Sequence, residues 1–295
     1  MHSKPERVGD TLDIIGESAV WCSRDAALYW VDIRAPALRR LDHITGRVTS
    51  WRVDDLCGAV LLTHDRRVLL AMRRGLFAFD PPRGSLEPLV APETEALGNR
   101  LNDSKCDRQG RIWTGTMRDY GLATTGSLYR VDQDLTCTRV LQDITVPNAL
   151  CWSPDNRSMY FADSGDGQLR CYDFDPEAGR MLEMRVVEAP PLPGKPDGAT
   201  IDADGCIWNA RYGGGRVVRI TPNGRIDRVI HVPATQVTSC ALGGPDLRTL
   251  YITTARQRLT PEALHTQPLA GGLFAVRVDV GGLPEPRFAL PASRA

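Results

Sequence analysis

A short turn followed by apolar residues recurs six times along this 295-residue chain, and a sequence that repeats at such spacing has few ways to fold. The copies are Arg24-Asp25-Ala26-Ala27-Leu28-Tyr29-Trp30, Asp65 to Leu70, Asp107 to Trp113, Pro154 to Phe161, Asp204 to Trp208 and Pro245 to Ile252. With Leu28, Val68, Ile112, Met159, Ile207 and Leu250 taken as equivalent, successive steps are 40, 44, 47, 48 and 43 residues. That is the period of a four-stranded propeller blade. After each turn a second segment alternates apolar and polar residues, as in Ser127-Leu128-Tyr129-Arg130-Val131-Asp132 and Arg216-Val217-Val218-Arg219-Ile220, which predicts a half-buried strand and a second hairpin in every unit. Turns such as Asp42 to Arg47 and Thr221 to Arg225 carry the Gly, Asn and Pro chemistry of tight reversals. Helical periodicity is nearly absent.

Six such units nearly exhaust the chain, so the expected fold is all-β: one six-bladed β-propeller of four-stranded antiparallel blades spanning residues 1–295 as a single domain. Closure removes the open sheet edges that a linear array would expose. Residues before Thr11 are expected to add an outer strand to the last blade, and the run Ala189 to Gly194 to connect blades four and five.

Lys plus Arg total 36 and Asp plus Glu total 36, so the composition shows no footprint for nucleic acid or an anionic membrane. The start, Met1 to Arg7, lacks the apolar centre of a signal peptide, and no apolar run is long enough to cross a bilayer. A cytoplasmic protein is expected. The eight cysteines show no CxxC pairing and read as reduced core residues. The five histidines, His2, His43, His64, His231 and His265, show no ligand spacing.

In a propeller the innermost strands all begin at one end of the central channel, so residues at one repeat phase converge. Ten or eleven positions before the equivalent apolar residues stand Glu17, Cys57 or Gly58, Asn102, Asn148, Asp197 and Ser239. Scaffold logic favours small or apolar residues there, yet two carboxylates and two amides occur. Carboxylates crowded at a channel mouth require a proton or a cation between them. Glu17 and Asp197 balance a divalent ion and Asn148 adds a carbonyl oxygen, an all-oxygen set that suits Ca²⁺, Mg²⁺ or Mn²⁺, with Zn²⁺ or Fe²⁺ as further candidates. The dipeptides Asp107-Arg108 and Asp204-Gly205 recur as hairpin turns and read as structural.

Gly16 to Trp21, Arg100-Leu101-Asn102-Asp103, Gly110 to Met117, Pro147 to Trp152 and Pro196-Asp197-Gly198 together resemble the senescence marker protein, regucalcin and gluconolactonase family of six-bladed propeller lactonases. The resemblance covers nearly the whole chain. It implies that Glu17, Asn148 and Asp197 are divalent-metal ligands, that Asp197 is the catalytic acid/base, and that Arg100 and Asn102 bind substrate. It also implies a departure. An acidic substrate contact of the regucalcin branch falls on Tyr120 here, so that recognition extends to other hydroxyls or to a different charge.

The expected function is metal-dependent hydrolysis of a sugar lactone, such as gluconolactone or a pentonolactone, to the aldonic acid. The ion would act as Lewis acid on the ester carbonyl while Asp197 passes a proton from water to the leaving ring oxygen. Arg100 and Asn102 would hold the sugar, with Tyr120 walling the pocket and Asp103 orienting Arg100 or touching a metal-bound water. Two alternatives stand beside this reading: a calcium-dependent phosphotriesterase-like hydrolase, and a non-catalytic calcium-binding propeller.

Overall fold

The computed structural model describes residues 4–95, 98–187 and 189–291. His2 and the rest of residues 1–3 lie outside them. The described residues form six four-stranded antiparallel sheets, in the order expected of a six-bladed β-propeller. The first five blades are consecutive meanders whose innermost strands are Gly16–Cys22, Cys57–Leu62, Asn99–Cys106, Pro147–Trp152 and Lys195–Ile201. The sixth blade joins Val237–Gly243, Thr249–Thr254 and Leu273–Arg277 to the N-terminal strand Glu6–Val8, which pairs antiparallel as its outer strand through Arg7 opposite Phe274. The expectation for the residues before Thr11 therefore holds. The segment from Ala189 to Gly194 joins blades four and five as expected. The one α-helix among the described residues is the short Pro261–Thr266, in the top loop of blade six, capped by Thr260.

Each strand's apolar face packs against the neighbouring blade, so the core is a ring of six wedges. One wedge joins blades one and two through Val20, Tyr29, Leu38, Val60, Leu62 and Leu70. The ring closes where Trp21, Leu28 and Trp30 of blade one meet Ala241, Tyr251 and Leu273 of blade six. In that closing wedge the Trp21 and Tyr251 rings stack with centroids 6.0 Å apart. The strands reach this packing because their apolar residues alternate, which puts one whole face of the sheet against its neighbour.

The turn carboxylates expected to be structural are so. Asp107 is fully buried and accepts from the amides of Gln109 and Arg111, from Arg111 Nε at 2.7 Å and from Trp113 Nε1 at 3.0 Å. In blade five the equivalent hub is Asp202, two residues before Asp204; it accepts from Asp204 N, Cys206 N, Trp208 Nε1 and Arg219 Nε. Gly110 and Gly205, at φ +80° and +79°, supply the left-handed residue these turns require. The eight cysteines are free thiols, and burial pushes Cys57, Cys151 and Cys240 up to about 12. They are core residues rather than ligands.

A C-terminal strap crosses the lower face after the last blade. Its Gly282 bridges Asp202 of blade five, and Phe288 bridges Thr63 of blade two, donating its amide to Leu62 O at 3.0 Å. Leu283, Pro284, Glu285 and Pro286 line the lower end of the channel together with Lys105. The Phe288 ring is completely buried between blades two and three. Phe288→Ala is therefore expected to lower the unfolding free energy by about 3–5 kcal/mol in urea denaturation; a change near zero would show that the strap does not contribute to closure.

Candidate active site on the channel axis

All six innermost strands carry a register shift at the same place, between Glu17 and Val20, Cys57 and Ala59, Leu101 and Ser104, Asn148 and Cys151, Pro196 and Ala199, and Val237 and Ser239. A bulge inserts a residue and re-aims the side chain beside it. Here it falls on or next to every polar residue singled out by repeat phase. Two of the bulges hold a non-glycine residue in the left-handed region, Ser18 at φ 54° and Ala149 at φ 60°, immediately after Glu17 and Asn148. Such backbone costs about 1–3 kcal/mol per residue and persists only where its surroundings enforce it. At Ser18 the enforcing contacts are visible: its amide donates to Glu17 Oε2 at 2.9 Å, and its hydroxyl accepts from Val60 N at 3.0 Å on the next blade. Among the glycines of the inner strands Gly58 marks the tightest approach, since a Cβ there would lie 2.3 Å from Leu101 O.

The bulges bring Glu17, Asn102, Asn148 and Asp197 together. The carboxylates of Glu17 and Asp197 lie within proton-sharing reach of each other. Asn102 donates from Nδ2 to Asn148 Oδ1 at 3.2 Å and to Pro147 O at 2.9 Å, and accepts from Arg100 Nη1 at 2.7 Å. Arg100, Asn102, Asn148 and Asp197 are all buried.

Desolvation dominates the electrostatics. It pushes Glu17 up to about 8, with Asp103 adding repulsion and Arg100 and the Ser18 amide opposing it. Asp197 is raised well above the ordinary carboxylate range by burial first, then by the charges of Glu17 and Asp103. Asp103 is raised by burial as well, and it accepts from Leu150 N at 3.0 Å rather than orienting Arg100. The residue that orients Arg100 is Asp119, whose Oδ1 accepts from Arg100 Nε at 3.1 Å. Tyr120, the residue on which the acidic position of the resemblance falls, is 72 % exposed and lies under the Arg34 guanidinium, 4.7 Å from its ring centroid. The acid beside Arg100 is thus present one residue earlier in the chain than the sequence comparison places it.

A second residue that repeat phase on the inner strands does not reveal is Ser164. Its hydroxyl donates to Pro196 O at 2.6 Å, so its lone pairs face Asn148 Nδ2, which donates to it at 2.8 Å. This fixes the Asn148 amide with Oδ1 turned away from Ser164. Asp163 anchors the turn by accepting from Thr145 N, Val146 N and Gly165 N. Arg34, Arg73, Asp119 and Ser164 stand five to seven positions after Leu28, Val68, Ile112 and Met159. A count forward to the top of the second strands finds them, where a count backward to the first strands cannot.

The fit of a cation to this donor set follows from its chemistry. Two buried carboxylates close enough to share a proton, with an amide oxygen oriented by Ser164, form a hard all-oxygen donor set in which a divalent cation can take the place of the shared proton. It holds only two of the His, Cys, Asp and Glu groups that commonly cluster at metal centres, and no group of three or more occurs among the described residues.

Fold and site together define a six-bladed propeller whose polar centre lies on the axis at the mouth of the channel. The chain belongs to the SMP-30/gluconolactonase/LRE-like family, whose model matches residues 15–256. A 6-deoxy-6-sulfogluconolactonase of Pseudomonas putida is 37% identical over 277 residues, 94% of this chain and 95% of that protein. An L-arabinolactonase of Azospirillum brasilense is 38% identical over 289 residues, 96% of this chain and 94% of its own length. The crystal structure of a calcium-binding protein, regucalcin, from Agrobacterium tumefaciens superposes with a TM-score of 0.93 at 30% identity, covering 98% of both chains. No helix among the described residues is long and apolar enough to cross a membrane.

The raised Glu17 carboxyl sets a pH dependence for the divalent-free protein. Its ordinary value is 4.5 and its folded value is about 8, so the folded state binds the proton more tightly. That contribution is complete below the ordinary value and is lost as pH climbs through the folded one. The melting temperature in EDTA is expected to fall between pH 5 and pH 8, with a shallower slope in Glu17→Gln and recovery on adding Ca²⁺. A slope unchanged in Glu17→Gln would contradict the assignment.

Proposed function

We propose that this protein hydrolyses a sugar lactone to the corresponding aldonic acid at the axial site, with a divalent cation held by Glu17, Asn148 and Asp197. The convergence of those three side chains with Arg100 and Asn102 carries the reading. Sugar lactonases are among the relatives that match nearly the full chain, and the structural neighbour described as calcium-binding supports a hard cation. Bound there, such an ion supplies Lewis acidity toward the ester carbonyl.

The chain's own groups account for the rest. Asp197 takes a proton from the attacking water and returns one to the ring oxygen as the acyl C–O bond breaks; water supplies both the new carboxyl oxygen and the proton. Burial beside Glu17 and Asp103 raises the proton affinity of Asp197 and a cation lowers it, and a group that must both take and give a proton works between those extremes. Asn102 and Arg100 bind sugar oxygens, Arg100 through a guanidinium held in plane by Asp119 and by the Asn102 and Leu101 oxygens. Asp103 contributes negative potential rather than a direct contact to Arg100, and Tyr120 forms the outer wall over Arg34. Ser164 holds the Asn148 amide with Oδ1 turned away from it, the orientation in which that oxygen would be available to the ion.

Asp197→Ala is expected to cut kcat/KM on gluconolactone by about 10²–10⁴ with the β-sheet circular dichroism unchanged. Near-normal turnover would refute the role. EDTA is expected to abolish lactone opening and a divalent salt to restore it. Ser164→Ala is expected to weaken Ca²⁺ or Mn²⁺ binding about 10- to 100-fold by calorimetric titration, since the freed amide can present either end to the ion. An unaltered affinity would show that Asn148 is oriented by something else.

A further inference from the structure

From the axial site a chain of contacts leads outward to the top rim. Arg100 Nη1 donates to Asn102 Oδ1, and its Nε pairs with Asp119. The same Asp119 carboxylate also takes Arg34 Nη2 at 2.8 Å and Arg73 Nη2 at 3.4 Å. Arg73 Nε reaches Asp55 at 3.3 Å, and Asp55 is shared in turn with Arg74 Nε at 3.6 Å. Four guanidiniums thus divide two carboxylates between them. The charge excess is steepest at its inner end, where three arginines from three different blades converge on one side chain that is only 5 % exposed.

Such an arrangement is unfavourable on its own terms. Guanidiniums carry donors only, and each retains its charge at any pH a protein survives. Arg34 and Arg100 repel across Asp119. Glu93 lines the adjoining groove with Arg73, Arg74 and Arg100, a space of about 260 Å³, but its carboxylate is turned to Asn99, Thr116 and Tyr129. Counting it as well leaves one positive charge over among the rim groups, with Arg100 also attracted by Glu17 on the axis. Within electrostatic reach of Asp197, Arg211 is buried with its Nη atoms on Asn209 Oδ1 and Gly194 O and its Nε without a hydrogen-bond partner. Neutral sugar hydroxyls can accept these hydrogen bonds but cannot balance the charge. An anion does both, and bidentate guanidinium contacts to an oxyanion are the strong form of the interaction.

We propose that the lactone opened by this protein carries a second, anionic group on the carbon chain remote from the ester, a carboxylate, sulfonate or phosphate, and that Arg34, Arg73 and Arg100 receive it. The assignment rests on the lactonase reading and adds the substrate's charge. It gives the rim arginines a gradient of exposure, from Arg100 at 6 % through Arg34 at 13 % to Arg73 at 41 %, along which an anionic arm is drawn toward the axis while its ester end meets Asp197. Positive potential at a concave mouth also raises the encounter rate with an anion, an effect that salt screens.

The test compares gluconolactone, whose sixth carbon bears a neutral hydroxyl, with the analogues carrying carboxylate, sulfonate or phosphate at that carbon, at saturating Ca²⁺ and at low and high ionic strength. At least one anionic lactone is expected to exceed the neutral one in kcat/KM by about tenfold at low salt, with the preference shrinking as salt rises. The order among the three identifies the group. Arg73→Gln, at a side chain exposed enough to tolerate replacement, and Arg34→Gln are expected to lower the anionic-to-neutral ratio about tenfold each, with unchanged melting temperature certifying the fold. Neutral and anionic lactones opened equally well, or a ratio indifferent to salt and to both substitutions, would overturn the charge assignment and leave the lactonase reading intact. Failure to open any of the four lactones would overturn the lactonase reading and this assignment with it.

Discussion

Closure of the ring is the constraint on which the rest depends. Each blade buries its faces only against its two neighbours, so no blade can be satisfied until the sixth meets the first. That last wedge is built from Trp21, Leu28 and Trp30 against Tyr251 and Leu273, and the N-terminal strand Glu6–Val8 completes the same blade. Once the ring is shut, six inner strands have to pass the axis side by side, and whatever side chains their bulges carry are forced into one small volume. The candidate site is therefore a consequence of closure rather than an addition to it: four residues separated by as much as 180 positions, the span from Glu17 to Asp197, meet because their strands have nowhere else to go.

Convergence has an electrostatic cost, and the location of that cost is informative. Glu17 is pushed up by burial first, with Asp103 adding repulsion, and Asp197 by burial first and then by the charges of Glu17 and Asp103, which is the behaviour of carboxylates that lack enough positive partners of their own. The molecule has arginines to spare; they are simply placed elsewhere. Arg100 acts on both axial carboxylates, yet it is committed through Nε to Asp119, and Arg211, which acts on Asp197, is committed to Asn209 and Gly194 O. A protein selected for stability alone would pair Glu17 with an arginine across the channel. Leaving the axis negative and the rim positive keeps two chemically different ends open along one path.

The fold and the axial residues were readable in the sequence for the same reason. Both follow the repeat, and equivalent positions in a closed ring are equivalent in space, so the Asp107-Arg108 turn declares itself scaffold by recurring at Asp204-Gly205, although the structure puts the matching hub at Asp202, and Asn148 declares itself exceptional by occupying a phase where Cys57 and Ser239 stand in other blades. The rim did not follow the repeat. The turns between second and third strands range from Arg73-Arg74 in blade two to the long segment holding the helix Pro261–Thr266 in blade six, so residues at equal spatial depth have unequal sequence offsets. Asp119 shows the difficulty in miniature. Comparison by position assigns the acidic role to Tyr120, but the strand Ile112–Arg118 ends with its next residue turned inward beneath Arg34, and a shift of one residue exchanges the inward and outward faces.

Ser164 extends that point from charge to geometry. An amide is nearly symmetric in shape, and nothing in the position of Asn148 on its strand determines which end faces the axis. The determination comes from another turn of the same blade and from the next blade: Pro196 O consumes the only proton of the Ser164 hydroxyl, so that hydroxyl can only accept, so the Asn148 end that meets it has to be the NH2. The carbonyl oxygen is left toward Asn102 and the channel. The same Pro196 immediately precedes Asp197, so the hydrogen bond that orients one proposed ligand is anchored on the backbone that delivers another. A displacement of the fifth blade would thus disturb both donors together, which ties the integrity of the donor set to the closure of the ring.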